Sequence, residues 1–144
     1  MQYIKHLIIV GVAMMAWGGL TSLTSANAAT WYQGTPKALR GLYQSTAPQN
    51  NSAAGFPPVI EITAKTFSLG VSNNPEQLVK RVKYRKSHGV YYLKGHVEHR
   101  GWVKARNVRF GLKKKNHTLV FVHTKQFLYE PGEKFKRTTH VTSY

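Results

Sequence analysis

The hydrophobic positions of this chain follow two different patterns. Near the N-terminus, residues 7–20 form an apolar run that only glycines interrupt. From Val59 onward, apolar and polar residues alternate in short runs that turn residues separate. A continuous apolar run is typical of a helix, whereas alternation with period two predicts strands with one buried face. The sequence therefore predicts an N-terminal apolar helix followed by a β domain.

The N-terminal run has the flanks of a secretory signal peptide. Lys5 precedes it, and Ala26 and Ala28 supply small residues at the −3 and −1 positions of a cleavage site. The run has 14 residues, fewer than the roughly 20 that a membrane-spanning helix requires. We expect cleavage after Ala28, which divides the chain into a signal peptide (1–28) and a secreted basic β domain (29–144). A retained membrane anchor is the alternative.

The absence of cysteine narrows the environment and the mode of attachment. It excludes disulfide bonds and an anchor on a lipidated N-terminal cysteine. Export without disulfides is typical of bacteria that lack an oxidising periplasmic step. We therefore expect a protein that is secreted, extracellular or non-covalently associated with the cell wall. We also expect it to be a monomer.

Short β-branched and aromatic runs predict eight or nine strands and no long helix. Thr35 and Pro36 resemble an N-cap and first helical position, so one helical turn is expected at 37–40. A bulge is predicted near Asn107 and a turn at 113–116. The fold class is all-β, a single small antiparallel β-barrel or meander with a short N-terminal helical turn. The predicted strands are 59–63, 66–71, 78–85, 90–97, 102–112, 118–122, 127–129 and 135–141.

Residues 31–41 carry the chain's resemblances to known proteins. Their sequence, Trp-Tyr-Gln-Gly-Thr-Pro-Lys-Ala-Leu-Arg-Gly, resembles small, functionally uncharacterised secreted proteins of lactic acid bacteria. That resemblance implies location and size, with no activity and no site residues. The helical turn followed by Gly41-Leu42-Tyr43 is also similar to the start of lipocalin-like barrels, whose first strand opens on Gly-x-Trp. Tyr43 replaces that tryptophan, and the resemblance implies a barrel that carries a small apolar ligand.

The charge of the chain is strongly positive. Lysine and arginine total 21 against five acidic residues, for a formal net charge of +16 with histidine neutral. Removing Lys5, the one charged residue of the signal peptide, lowers this to +15. Such a charge predicts attraction to polyanions such as wall teichoic acids and anionic membrane surfaces. Each cation near an anionic surface contributes about 1 kcal/mol.

Clustered cations are the predicted binding residues. Alternation places Arg81, Lys83 and Arg85 on one strand face at about 6.5–7 Å spacing, and Arg109 on the face opposite Lys104. If the 78–85 and 102–112 strands adjoin, the cations form one basic wall. The alternative is that they only keep a β protein soluble and its edges unpaired. The predicted polyanion-binding residues are Arg81, Lys83, Arg85, Lys104, Arg106, Lys113, Lys114 and Lys115. The candidates for stacking on sugars or bases are Tyr84, Tyr91, Tyr92 and Trp102.

No pattern predicts catalysis, a metal or a cofactor. In a strand, His96 and Glu98 share a face while His99 points away, so three convergent metal ligands do not follow. We interpret this segment as an exposed hairpin end. Aspartate is missing from the chain, which excludes a Ser-His-Asp triad.

The sequence favours a non-enzymatic binding protein held at the cell envelope by electrostatic contact with anionic wall polymers. Multivalent contact of this kind weakens as salt increases. The first alternative is a lipocalin-like carrier of a small apolar ligand. The second is a cationic toxin, which the lack of a strong amphipathic helix disfavours. Nucleic acid is a less favoured partner than wall polymer.

Overall fold

A computed structural model describes residues 30–46, 55–122, 126–127 and 133–143. The predicted signal peptide with its cleavage site at Ala28, and residues 128–129 of one predicted strand, lie outside the described residues. Within them, no helix is long and apolar enough to cross a membrane. The described residues form a 3-10 helix (Lys37–Leu39) and nine strands: β1 (Tyr32–Gln33), β2 (Gly41–Ser45), β3 (Val59–Ile62), β4 (Phe67–Gly70), β5 (Gln77–Ser87), β6 (Val90–Val97), β7 (Arg106–Lys115), β8 (Thr118–Val122) and β9 (Lys134–Thr138).

Eight of these strands form a closed barrel. Each strand from β2 to β9 pairs antiparallel with the next one in the chain, and β9 returns to pair with β2. The additional strand β1 pairs with β5. Closure removes the free edges that an open sheet would expose. The prediction of an all-β antiparallel barrel is confirmed.

Phenylalanine side chains fill the barrel interior. Phe110 lies 4.7 Å from Phe67 and 4.9 Å from Phe127, measured between ring centroids. Phe121 lies 5.7 Å from Phe135. All five rings are buried. The alternation of each strand thus directs its apolar residues inward and leaves its charged residues outside, where any polar binding site must lie.

Strand β5 carries a bulge that changes its pairing with β6. The register shifts between Lys80 and Lys83, and Arg81 has a φ of +52°. Gly95 lies on β6 beside the bulge, where a Cβ atom would come within 2.6 Å of the Val79 side chain. The two backbones therefore approach closely here because residue 95 has no side chain. The bulge predicted near Asn107 is wrong, since β6 and β7 pair without interruption.

Two predicted boundaries of β7 are also wrong. The strand begins at Arg106, so Trp102 lies in the preceding loop. Lys113, Lys114 and Lys115 lie on the strand because they pair with β8, and the turn falls instead at residues 116–117. Asn116 supports that turn with a φ of +53°, a conformation that asparagine tolerates better than most residues.

The helical turn forms, but Thr35 does not cap it. Pro36 is the cap residue and makes no side-chain hydrogen bond. The Thr35 hydroxyl instead donates to the Thr63 carbonyl and accepts a 3.4 Å hydrogen bond from Arg40 Nε. These contacts tie the segment before β2 to the turn between β3 and β4, and so fix where the N-terminal residues cross the barrel.

Candidate anion-binding groove

Three cations lie side by side on the outer face of the barrel. Lys83 of β5 is directly opposite Lys94 of β6, and Lys94 is directly opposite Arg109 of β7. Neighbouring strands are about 4.8 Å apart, and like charges directly opposite each other destabilise a sheet. We call these three residues the cation row. Such an arrangement is electrostatically unfavourable until an anion binds to it.

The cation row lies within a groove of about 440 Å³, which we call the basic groove. Four of its lining residues are cations and, among the described residues, none is a carboxylate. Arg81 enters this lining from the bulge of β5, in keeping with the tendency of bulges to redirect a side chain. The lining residues are Arg81, Lys83, Lys94, Gly95, His96, Asn107, Val108, Arg109 and Gln126.

The indole ring of Trp31 lies against two members of the cation row. Lys94 Nζ is 4.2 Å from the ring centroid, and Arg109 Cζ is 5.4 Å from it. Arg85 Cζ is 5.3 Å from the same ring. Each cation–π contact contributes roughly 0.5–2 kcal/mol, more when water is excluded. Trp31 thus offsets part of the repulsion among these cations.

The pairing of β1 with β5 holds Trp31 in this position. Tyr32 pairs with Tyr84 of β5, and their rings lie 5.5 Å apart. Gly34 then donates to the Val82 carbonyl at 2.8 Å, with a φ of +78°. A Cβ atom at this glycine would come within 2.6 Å of the Ala64 carbonyl oxygen. Glycine is therefore needed for the turn that follows β1.

Arg85 connects the groove to a tyrosine. Its guanidinium lies 5.4 Å from the ring of Tyr92, in addition to its contact with Trp31. Its Nε atom is buried and has no hydrogen-bond acceptor among the described residues. A buried donor without an acceptor is costly, and because the atom is buried a ligand in the groove does not reach it.

Histidine and amide side chains form the remaining wall of the groove. His96 Nδ1 and Asn107 Oδ1 are 3.0 Å apart. The backbone N–H of Arg109 donates to Gln126 Oε1 at 2.5 Å. Imidazole and amide groups of this kind suit hydroxyl-bearing ligands, because each can donate or accept a hydrogen bond.

An ion pair marks the border of the groove. Lys80, directly opposite His96, pairs with Glu98 at 2.8 Å. The hydrogen bond from Lys80 lowers the pKa of the Glu98 carboxyl below its ordinary value. Glu98 thus neutralises Lys80, while the cation row has no such partner among the described residues.

The eight predicted polyanion-binding residues separate into two groups. Arg81, Lys83 and Arg85 lie at the basic groove or against Trp31. Lys113 and Lys115 are exposed on the outer face of β7, farther along the strand than Arg109. These five lie on the outer face of β5–β7, but β6 separates the two strands that the sequence predicts to adjoin.

The other three predicted residues lie elsewhere or have structural partners. Lys114 Nζ donates to the Ala38 carbonyl at 2.5 Å, which ties β7 to the 3-10 helix. Arg106 donates to Gln77 Oε1 and to the Gln126 carbonyl, each at 2.8 Å. Lys104 is exposed in the loop before β7. These residues are poorly placed for the basic groove.

The four stacking candidates do not gather at one place. Tyr84 and Tyr91 pack partly against the core, and Lys86 lies 4.9 Å from the ring of Tyr91. Tyr92 contacts Arg85 beside the groove. Trp102 is 58% exposed in the loop between β6 and β7 and does not line the groove.

Sequence reasoning missed three residues of the site. Lys94 is a single cation in the run of β6, so no cluster marked it. Alternation puts Arg109 on the face opposite Lys104, and the turn predicted at 113–116 hides that Arg109 and Lys113 share one face of the same strand. Trp31 was noted as part of a resemblance and not as a site residue. Counting alternation strand by strand could have found Arg109, whereas Trp31 carries no such signal.

The histidine-containing segment gathers no metal site. His96 contacts Asn107, and Glu98 pairs with Lys80. Among the described residues, no group of three or more His, Cys, Asp or Glu side chains is placed to hold a metal ion.

Comparisons of the chain with family models, curated proteins and solved structures found no match. Charge, burial and geometry therefore carry the inference about function.

Proposed function

We propose that this chain is a secreted, non-enzymatic protein that remains at the cell envelope by binding anionic wall polymers. The observation that carries the proposal is the cation row, in which Lys83, Lys94 and Arg109 adjoin on three strands without a carboxylate in the described groove lining. A polymer that presents repeated anionic groups offsets the repulsion among these residues.

The arrangement of the cations favours binding over simple solubility. Solubility requires dispersed charge, whereas opposite like charges each cost up to about 1 kcal/mol in a sheet. Arg109 and Arg85 can each grip an anionic group through two N–H donors, and the lysines act as point charges. Lys113 and Lys115 extend the positive surface along β7, so several units of a polymer bind together.

A filled interior makes the carrier alternative less favoured. A lipocalin-like carrier needs space for an apolar ligand inside the barrel. Phe67, Phe110, Phe121, Phe127 and Phe135 pack ring against ring there, which leaves the outer face as the better supported site. Anionic lipid and nucleic acid remain alternative partners that the experiment below distinguishes.

Sedimentation with purified cell walls tests the proposal. The secreted protein should co-sediment with walls at low salt and be released as salt rises from about 0.05 to 0.5 M, where screening shortens to a few ångströms. Walls chemically stripped of their anionic polymer, anionic lipid vesicles and duplex DNA serve as competing surfaces. Equal release at low and high salt, or equal binding to stripped walls, contradicts the proposal.

A matched pair of variants locates the surface. The triple variant K83Q/K94Q/R109Q removes the cation row and should weaken wall binding about 150-fold, at about 1 kcal/mol per cation. The control K37Q/K65Q/K136Q removes the same charge from exposed residues outside β5–β7. If both variants weaken binding equally, net charge and not the basic groove holds the protein at the wall.

A further inference from the structure

We propose that the basic groove is a discrete site for one phosphate group carried by a polyol or sugar unit, with Trp31 holding the cations in place. The inference rests on the proposed function and goes beyond it. Diffuse attraction to a polymer needs no ordered site, whereas this proposal predicts that a single small phosphate ester binds and saturates.

The first support is the convergence of charged groups from three strands on one ring. Lys94, Arg85 and Arg109 come from β6, β5 and β7, and their charged groups lie 4.2, 5.3 and 5.4 Å from the Trp31 centroid. Long cationic side chains on a barrel surface ordinarily point apart into solvent to reduce repulsion. Here an uncharged ring gathers them.

The second support is preorganisation. Lysine and arginine side chains lose considerable rotamer freedom when a ligand immobilises them. Contact with the indole restricts Lys94 and Arg109 before the ligand arrives, so binding costs less entropy. Trp31 itself is held by the pairing of β1 with β5 and by the glycine turn at Gly34. Trp31 is therefore a positioning residue rather than a ligand-binding residue.

The geometry of the donors favours phosphate over carboxylate. A carboxylate has two oxygens in one plane, whereas a phosphate monoester presents three oxygens in different directions and about −1.5 to −2 charge at neutral pH. Lys83, Lys94 and Arg109 come from three neighbouring strands, so they can reach oxygens that point in different directions.

The rest of the groove suits the group that carries the phosphate. Its volume of about 440 Å³ lies in the range of sites that hold a small organic molecule. His96, Asn107 and Gln126 line the side next to the cations with groups that hydrogen-bond hydroxyls. A polyol or sugar phosphate uses both parts, whereas inorganic phosphate uses the cations alone.

Titration with glycerol 3-phosphate, followed by amide chemical shifts of the secreted protein, tests the inference. Saturable 1:1 binding with shifts centred on Lys83, Lys94 and Arg109 is expected. Glycerate, the carboxylate counterpart, should bind about tenfold more weakly because it offers fewer oxygens and less charge. The K83Q/K94Q/R109Q variant should lose saturable binding, and K37Q/K65Q/K136Q should keep it.

Variants of Trp31 test the positioning role. Trp31→Leu should weaken glycerol 3-phosphate binding by about five- to tenfold, whereas Trp31→Phe, which keeps a ring, should stay closer to the wild type. Trp102→Leu, at an exposed tryptophan that does not line the groove, is the matched control and should change binding less than about twofold. For long anionic polymers, the slope of affinity against salt should be unchanged in Trp31→Leu, since the number of cations is the same.

The failure of this inference differs from the failure of the proposed function. If long polymers bind while glycerol 3-phosphate does not saturate, the discrete site is wrong and the wall-binding function stands. If Trp31→Leu, with native dispersion of its amide shifts, binds as the wild type does, the positioning role is wrong. If Trp31→Leu does not fold, Trp31→Phe, which keeps a ring, is measured instead. A shallower slope of polymer affinity against salt in Trp31→Phe would mean that fewer cations contact the polymer, which the positioning role does not predict. If neither ligand binds, both proposals fail.

Discussion

Two grooves on the outside of the barrel differ sharply in charge. The basic groove of about 440 Å³ lies on β5–β7 and has four cations in its lining. A second groove of about 380 Å³ lies mainly on β2–β4, and the residues that line it are mostly apolar with two carboxylates, Glu61 and Glu76. Its centre on β3 is three strands around the barrel from β6. We call it the apolar groove.

The difference shows that positive and negative charges are unevenly distributed around this barrel. Both grooves lie on the same antiparallel sheet and have similar volumes, so strand geometry alone does not explain their charges. The chain has 21 basic and five acidic residues, yet two of those acids lie at the apolar groove. Glu76 there is paired with Arg100, which leaves Glu61 as the acid of this groove without an ion-pair partner among the described residues. The cation row has no comparable compensation among the described residues.

Among single substitutions, charge reversal at the centre of the cation row should have the largest effect. Lys94→Glu should weaken binding to anionic wall polymer about 30-fold, because it removes one attraction and adds one repulsion of about 1 kcal/mol each. The same change should alter stability little, since Glu opposite Lys83 and Arg109 creates two favourable pairs of about 0.2–1 kcal/mol each but loses the contact of Lys94 with Trp31, worth about 0.5–2 kcal/mol. Wall sedimentation and chemical denaturation measure the two effects.

Lys136→Glu, an equal reversal on β9, controls for net charge. If it weakens binding as much as Lys94→Glu does, the contrast between the two grooves has no functional meaning.

Relief of backbone strain at the bulge should have a smaller effect, which raises the stability of the fold and weakens polymer binding. Arg81 has a left-handed backbone conformation, which costs about 1–2 kcal/mol relative to glycine. Arg81→Gly removes this cost, but glycine also makes the unfolded chain more flexible, which offsets part of the gain. The variant should be more stable by about 0.5–1 kcal/mol and bind wall polymer about fivefold more weakly, at about 1 kcal/mol per lost cation. Thermal unfolding and sedimentation report each change.

Asn116→Gly is the matched control, because Asn116 has a similar φ of +53° on the turn after β7. Its binding should be unchanged. A loss of stability in Arg81→Gly would show that the arginine side chain holds the bulge together.

Neutralisation of Glu61 in the apolar groove should hardly alter binding to wall polymer. Glu61 is exposed on β3, and Glu61→Gln raises the net charge by one without touching β5–β7. Polymer affinity should change less than about twofold, because the removed charge lies beyond a Debye length of about 8–10 Å from the basic groove. An increase as large as the loss in Lys94→Glu would refute the separation of the two surfaces.

The smallest expected effect is the titration of Glu98 at the border of the basic groove. Its pKa should lie below its ordinary value of 4.5, chiefly because Lys80 donates a hydrogen bond to it. A lowered pKa means that the carboxylate stabilises the fold above its unfolded pKa, and that this is lost as pH falls through the folded pKa. Glu98 is solvent-exposed, so the effect on stability is slight.

Carboxyl carbon shifts of the protein measure this titration. Lys80→Gln should return the pKa toward 4.5, with Arg100 and His96 as the remaining nearby groups that lower it. An unchanged pKa in that variant would assign the shift to Arg100 and His96 instead of Lys80.

Much of the fold follows from local alternation. The runs at 59–63, 90–97 and 118–122 predicted strands that the structure has within one residue at each end. Alternation also placed Lys83 and Arg85 outside the barrel. Loop residues were harder, because Trp102 is a strand-favouring residue next to Val103 yet lies in a turn that the Arg100–Val103 backbone bridge forms. The sequence signal of that turn is Gly101, which has a φ of +57°.

The candidate site was predicted in part. The cluster at Arg81–Arg85 pointed to β5, but its meeting with Lys94 and Arg109 depends on the pairing of three strands. Lys114 and Arg106 look like binding residues in the sequence and serve instead as hydrogen-bond donors to Ala38 and Gln77. Such a use depends on backbone carbonyls and side chains that are distant in the chain, so no local pattern announces it.

The sequence by itself determined the β class, the inward and outward faces of most strands and the large excess of positive charge. Each of these depends on period-two alternation or on counting residues. The tertiary structure decided which cations adjoin, because the bulge at Arg81 and the strand registers set those distances. It also brought Trp31, some 50 to 80 residues away in the chain, onto Arg85, Lys94 and Arg109. Electrostatic energy depends on distance through space, and only the closed barrel defines that distance.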